Sequence, residues 1–293
     1  MPTLSAAAWD KYLDRALAGC LPHIPERQAV IRCLLEHYLG CSPVQRLLNT
    51  PLQATPATVA QLHQAIQRLD RQEPIQYILG YTFFLGARYK VTPDVLIPRP
   101  ETEALTQHII QARQGTRPSI IDLCTGSGCM AISLARAFPG AAVYGLDISH
   151  RALAVAQHNA RQLGVQVHWL RQDLLTQPLP ARRWTLMVSN PPYVPRAART
   201  HMQARVLDYE PHQALFVPDE APLLFYERLA TLAATHLASP GWLYVETHEA
   251  LAQQVAQRFR TAGLQQVTVH HDLQGKERWV AAHQGAHASK EHP

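Results

Sequence analysis

Residues 122–128 read D-L-C-T-G-S-G. They lie between an apolar run, S-I-I-D-L-C at 119–124, and a helical pattern, M-A-I-S-L-A-R-A-F at 130–138. A strand that runs through glycines into a helix makes a ligand-binding turn. Glycine lets the backbone fold tightly and approach a ligand, and the helix start presents N–H groups with no partner in the helix. Gly126 and Gly128 alone are a weak signal. Weight comes from the next strand pattern, A-A-V-Y-G-L-D, which ends on Asp147 where a carboxylate meets ribose hydroxyls. Asp122, Cys124, Thr125, Gly126, Ser127, Gly128 and Asp147 are therefore candidate contacts for a nucleoside-containing cofactor. Asp147 has a plainer reading as the N-cap of the following helix, a role equally open to Ser149.

Outward from this loop, strand and helix patterns alternate. The helical run R-A-L-A-V-A-Q-H-N-A-R-Q-L closes at Gly164, and V-Q-V-H-W-L, W-T-L-M-V-S-N and W-L-Y-V-E are further strands. This order implies an α/β fold: a Rossmann-like, mostly parallel sheet covered by helices. The last two strand runs, joined by D-L-Q-G-K, are expected to close it as an antiparallel hairpin. Upstream, Trp9, Leu13 and Leu17 recur at helical spacing. A second helix opens at Pro25-Glu26 with Ile31, Leu34, Leu35 and Tyr38 on one stripe, and Thr55-Pro56 opens a third that runs to about Arg71. The expected domains are a helical bundle over 1–75, a β-hairpin linker over 76–98, an α/β domain over 99–283 and a disordered tail over 284–293.

Composition narrows the class. In 293 residues, 47% are hydrophobic and 17% charged, enough for a substantial core. No apolar run reaches membrane-spanning length, and the N-terminus lacks a basic segment followed by an apolar one. Five cysteines without a C-x-x-C pair fit reduced thiols in a cytoplasmic protein. The net charge of +5 is scattered, with no basic block to mark a nucleic-acid surface. The 16 histidines show no metal-ligand spacing.

The glycine loop lacks the G-K-[ST] of phosphoryl transfer and is not the G-x-G-x-x-G of nicotinamide cofactors. S-adenosylmethionine fits it better. A second motif bears on the reaction. S-N-P-P-Y-V at 189–194 follows the apolar run W-T-L-M-V. Proline offers no N–H to a sheet ladder, so the strand is expected to stop at Ser189 and leave Asn190 on its lip. In such a sheet the fourth strand ends beside the first, across the ligand crevice. A planar –NH2 group is a poor nucleophile because its lone pair is delocalised. A site that accepts both its N–H bonds, on the Asn190 side-chain oxygen and the Pro191 carbonyl, aims that lone pair at a methyl group. Pro191 and Pro192 stiffen the carbonyl, and Tyr193 offers a flat ring against a flat amide or base. A capped turn after a strand is the plainer reading. Asp173, with Leu174 beside it, is a candidate contact for adenine, or else a solvated acid at a strand end.

D-L-C-T-G-S-G, L-D-I-S, S-N-P-P-Y-V and the terminal hairpin resemble class I S-adenosylmethionine-dependent methyltransferases. E-P-I-Q-Y-I-L-G, V-L-I-P-R-P-E-T-E, Y-E-P-H-Q-A-L and D-L-Q-G-K-E-R are similar to the HemK-type (PrmC) protein-glutamine methyltransferases, over about residues 5–283. The resemblance implies a seven-stranded sheet and, as substrate, the Gly-Gly-Gln glutamine of class 1 peptide chain release factors. It implies that 124–128, Asp147 and Leu174 line the cofactor and that Asn190, Pro191, Pro192 and Tyr193 hold the glutamine. It also implies that the N-terminal helices dock the release factor. Three departures stand out. Cys124 replaces a common glycine and is expected to need no positive φ. P-D-E-A-P-L-L at 218–224 replaces a Gly-x-x-Gly-Leu run, and E-T-H-E at 246–249 replaces Glu-Ile-Gly.

Two rivals remain open at this point. N-P-P-Y also occurs in nucleic-acid amino-methyltransferases, but such an enzyme needs a phosphate-binding surface and a flipped-base pocket. The sister enzymes that methylate a ribosomal-protein glutamine lack R-P-E-T-E. A catalytically silent binding module is the non-enzymatic alternative, and it predicts loss of the residues that are intact here.

Overall fold

The computed structural model describes residues 3–272 and 274–285. The chain forms two compact units. Residues up to Gly80 join Gln203–Tyr209 in the first, and Tyr81–Met202 joins residues from Glu210 onward in the second.

The first unit is built from β1 (Thr3–Ser5), α1 (Ala6–Leu17), α2 (Ile24–Leu39), α3 (Pro43–Leu47), β2 (Pro51–Gln53), α4 (Pro56–Asp70) and α5 (Ile75–Leu79). The stripes of α1, α2 and α4 meet in one core through Trp9, Leu13, Leu17, Ile31, Leu34, Leu35, Leu62 and Leu69. Thr55 caps α4 through the Thr58 N–H, with Pro56 in the first turn. The short β1–β2 ladder and α3 carry too few residues for a periodic signal, and sequence reading does not find them.

The second unit opens with an antiparallel hairpin, β3 (Tyr81–Phe84) and β4 (Ala87–Lys90). Its two-residue turn, Leu85-Gly86, takes positive φ at both positions, as a tight hairpin requires, and the Glu103 carboxylate accepts the Leu85 N–H at 2.7 Å. The expected linker over 76–98 thus begins with the helical residues of α5, and its hairpin belongs to the second unit. There follow α6 (Pro100–Ala112), β5 (Ser119–Leu123), α7 (Cys129–Ala137), β6 (Ala142–Asp147), α8 (His150–Gln162), β7 (His168–Arg171) and β8 (Trp184–Ser189). After β9 (Val194–Pro195) and a 3-10 turn, the chain gives α9 (Ala204–Leu207) to the first unit. There the Arg205 guanidinium pairs with Glu26, and the Tyr209 hydroxyl donates to the Arg71 carbonyl at 2.8 Å. It returns through β10 (Phe216–Val217), α10 (Leu224–His236), β11 (Leu237–Glu246), α11 (Ala252–Thr261), β12 (Gln265–His271) and β13 (Glu277–Gln284). The expected tail over 284–293 starts too early, since Gln284 still pairs with Gly241 in the sheet; residues 286–293 lie outside the described residues.

The seven strands run in the order β12-β13-β11-β8-β5-β6-β7. β7, β6, β5, β8 and β11 are parallel, and β13 is antiparallel to both its neighbours. The sheet buries both faces, so successive strand residues enter different cores. Ile120, Leu186 and Val188 pack with α6 and α7 on one side; Ile121 and Met187 pack with α10 and α11 on the other. Chain order reverses direction between β5 and β8, and a crevice opens there at the carboxyl ends of the strands.

Candidate active site

The turn after β5 is held from below. Thr125 N–H donates to the Leu146 carbonyl at 2.9 Å, and Gly126 N–H to Asp147 Oδ2 at 2.9 Å. Three residues of the turn take left-handed backbone: Cys124 at φ 65°, Gly126 at 54° and Gly128 at 79°. The expectation that Cys124 needs no positive φ is therefore overturned. The chain must turn back at this point for Thr125 to reach β6, so the cysteine carries a conformation that glycine adopts more easily. Gly128 is constrained by space as well, because a Cβ there would lie 3.0 Å from Ala156, Ile132 and Trp169.

Asp122, the next-to-last residue of β5, is almost fully buried. Its Oδ2 accepts from the Thr125 hydroxyl at 2.6 Å and from Ala131 N–H at 3.2 Å. Its Oδ1 is buried with no partner among the described residues. Burial pushes its carboxyl up to about 7, against the pull of those two donors. Asp147 is raised too, by burial, although the Ser149 and Gly126 N–H groups favour its charged form. The helix-cap role falls to Ser149, whose hydroxyl accepts from Ala152 N–H at 3.2 Å. Cys124 is held neutral by burial and the neighbouring carboxylates. Asp173 is engaged locally, accepting from Leu175 N–H at 2.9 Å and the Thr176 hydroxyl at 2.8 Å.

Across the crevice, β8 ends at Ser189, whose hydroxyl donates to the Leu123 carbonyl of β5 at 2.6 Å. Asn190 follows on the lip. Its Nδ2 donates to the Thr102 hydroxyl at 3.0 Å, and Thr102 donates to Glu246 Oε2 at 2.6 Å. Glu246 ends β11; it is almost fully buried, and burial pushes its carboxyl up to about 7. A cavity of about 680 Å³ joins these parts. Asp122, Cys124, Thr125, Gly126, Ser127, Asp147, Asp173, Leu174, Asn190 and Pro192 all line it. Gly128 shapes the turn without lining the cavity, and Pro191 and Tyr193 also stand outside its lining. Burial raises the Tyr193 hydroxyl far above its ordinary range.

Sequence reading missed three partners at this rim. Thr102 stands inside R-P-E-T-E and Glu246 inside E-T-H-E. Arg99 of the same first motif pairs at 2.5 Å with the buried Glu210 of Y-E-P-H-Q-A-L, which also accepts the Ile97 N–H. The motifs were visible as text, but the pairing of residues more than 100 positions apart was not. Pro218 and Leu224, the ends of the altered 218–224 segment, line the same cavity.

A cavity with an unpaired buried carboxylate oxygen and a carboxylate at the second strand end fits a cationic nucleoside cofactor. Comparison with known proteins agrees. The family model described as Methyltransferase small domain matches residues 100–213, and the PrmC N-terminal domain model matches residues 8–80. The release factor glutamine methyltransferase of Bacteroides thetaiotaomicron is 43% identical over 273 residues, covering 92% of this chain and 97% of that one. That of Bordetella pertussis is 39% identical over 259 residues, covering 88% and 94%. A methyltransferase from Pyrococcus furiosus, 14% identical, superposes over 69% of this chain and 90% of its own with a TM-score of 0.51, a likeness of fold. Fold and site define a class I S-adenosylmethionine-dependent methyltransferase. Within that class, the chain belongs to the release factor glutamine methyltransferase family.

Among the described residues, no helix is long and apolar enough to cross a membrane.

Proposed function

We propose that this enzyme methylates the side-chain amide nitrogen of the glutamine in the Gly-Gly-Gln motif of class 1 peptide chain release factors, in the cytoplasm. The observation that carries the reading is the committed amide of Asn190. Its NH2 group is held by Thr102 at 3.0 Å, which leaves Oδ1 as the group Asn190 offers to a substrate N–H. The Pro191 carbonyl takes the second N–H. With both protons engaged, the plane of the amide is fixed and the face of its nitrogen is turned toward the cofactor side of the cavity. S-adenosylmethionine, when bound, supplies a methyl carbon made electrophilic by its sulfonium. Methyl transfer would exchange that S–C bond for the new N–C bond, and the substrate nitrogen would shed one proton. An N-alkylated amide loses that proton readily, so no strong base is required. Tyr193 packs beside the glutamine as a neutral ring.

The turn at 124–128, with Asp122, Asp147, Asp173 and Leu174, holds the cofactor. Asp147 takes the ribose, and its hydrogen bond to Gly126 ties that contact to the glycine turn. Asp122 lies on the same cavity and supplies negative charge for a cation. The first 75 residues dock the release factor. No nucleic acid is required as partner.

The test is direct. Purified enzyme, S-adenosylmethionine and a class 1 release factor from the same cell are incubated, and the product is mapped by peptide mass spectrometry. One methyl on the Gly-Gly-Gln glutamine is expected. An unmodified release factor with cofactor bound would overturn the substrate assignment.

A further inference from the structure

The glutamine-binding amide does not stand alone. Asn190 follows β8, Glu246 ends β11, and these strands are neighbours in register, with Val245 opposite Ser189. Thr102, in the first turn of α6, inserts its hydroxyl between the two side chains. Both Thr102 and Glu246 are buried, at 3% and 2% exposure, so solvent does not compete for these bonds.

The hydrogen-bond inventory gives this chain a direction. An ionised carboxylate only accepts, and a hydroxyl has a single proton. While Glu246 is charged, Thr102 spends that proton on it and offers Asn190 only lone pairs. Asn190 must then present its NH2 to Thr102, and its oxygen is the end left for a ligand. If Glu246 gains a proton it can donate to Thr102, whose own proton becomes free for Asn190 Oδ1. The amide can then turn over and offer NH2 to an incoming NH2, a pairing of donor with donor. We infer that Glu246, acting through Thr102, is a positioning residue that keeps the Asn190 side-chain oxygen toward the substrate. This rests on the assignment of Asn190 as the amide acceptor above.

The surroundings set when this orientation is enforced. Burial is the main force holding a proton on Glu246, and Glu101 adds to it; the Thr102 bond, Arg278 and Arg99 favour the charge. Tyr193, Tyr226 and Cys129 also face it, and burial holds all three neutral across this range. The outcome is a carboxyl that ionises at about 7. Since the ionised form enforces the correct orientation, turnover is lost as pH falls through that value.

The decisive experiment uses the full chain and two readouts. The first needs no substrate: the Asn190 side-chain NH2 resonance is followed against pH by nitrogen-15 NMR. In wild type it should titrate with Glu246, and in Glu246→Gln it should not. The second is kcat against pH on release factor. Glu246→Gln should lower kcat by about 10- to 100-fold, as loss of a supporting hydrogen bond does at an oriented ligand. It should remove the acid limb near neutrality and leave S-adenosylmethionine affinity within a few-fold. With Glu246 intact, Thr102→Ser should retain the titrating resonance and the acid limb, and Thr102→Val should lose both. An unresponsive Asn190 resonance in wild type, an acid limb that persists in Glu246→Gln, or equal activity of the serine and valine variants would each overturn the relay. If Glu246→Gln does not fold, the Thr102 pair decides the matter through the same resonance. A titrating resonance in an enzyme that leaves release factor unmethylated would uphold the relay and refute the substrate.

Discussion

Cys124 is a side chain in a glycine's conformation, and its replacement gives a graded test of that strain. At φ 65° a Cβ crowds the following carbonyl, at a cost of about 1–2 kcal/mol. Cys124→Gly removes the crowding. It gives back about 0.5–1 kcal/mol because glycine is freer in the unfolded chain, and a few tenths more for the half-buried Cβ. Cys124→Ala loses the same sulfur but keeps the crowding, so the glycine variant should be ahead of it by about 0.5 kcal/mol. Cys124→Val adds a β-branch in left-handed backbone, where such residues are true outliers, and should trail glycine by about 2 kcal/mol. For a unit of this size that is ~4–8 °C in melting temperature. Thermal and urea unfolding without cofactor, which would otherwise add its own stabilisation, read the series. The expected order is glycine, alanine, valine. A valine variant as stable as the glycine variant would show that the turn relaxes to negative φ and that the strain argument is mistaken.

Asn190→Ala should keep cofactor binding by calorimetry and lower kcat by about 10²–10³-fold, the effect of deleting one hydrogen bond made to a reacting group; near-normal turnover would refute the amide-positioning mechanism. Asp122 ionises at about 7, and the cofactor is a cation, so affinity for S-adenosylmethionine should strengthen as pH rises through that value. Asp122→Asn should flatten this dependence in a binding titration. Arg99→Ala leaves the buried Glu210 without its 2.5 Å partner and should cost about 3 kcal/mol of stability by urea unfolding. Adding Glu210→Gln should recover part of that loss.

The parts of the fold legible in the sequence are those in which each residue's local preference matched its final place. Ile120-Ile121 and Leu186-Met187-Val188 are uninterrupted apolar runs because both sheet faces are covered, and Pro191-Pro192 ends β8 by removing two ladder donors. Gly126 and Asp147 were readable as a pair because their strands are consecutive, and the structure joins them by a hydrogen bond. Thr102 was hidden for the opposite reason. Its bond to Asn190 spans 88 positions and its bond to Glu246 spans 144, distances over which no local pattern carries information. The conformation of Cys124 was hidden as well. It follows from the reach of Thr125 to Leu146, a demand of the neighbouring strand and not of the cysteine.

The helical unit has a consequence for how such a protein can be cut and recombined. Its fold is written in two separate stretches of the chain, because Gln203–Tyr209 returns to it from beyond the Asn190 motif. A gene fragment ending at Gly80 would omit the partners of Glu26 and of the Arg71 carbonyl. Exchange of this unit between relatives therefore requires a double crossover that carries both stretches together. Substitutions at Glu26 and Arg205 are expected to be inherited as a pair, although 178 residues separate them in the gene.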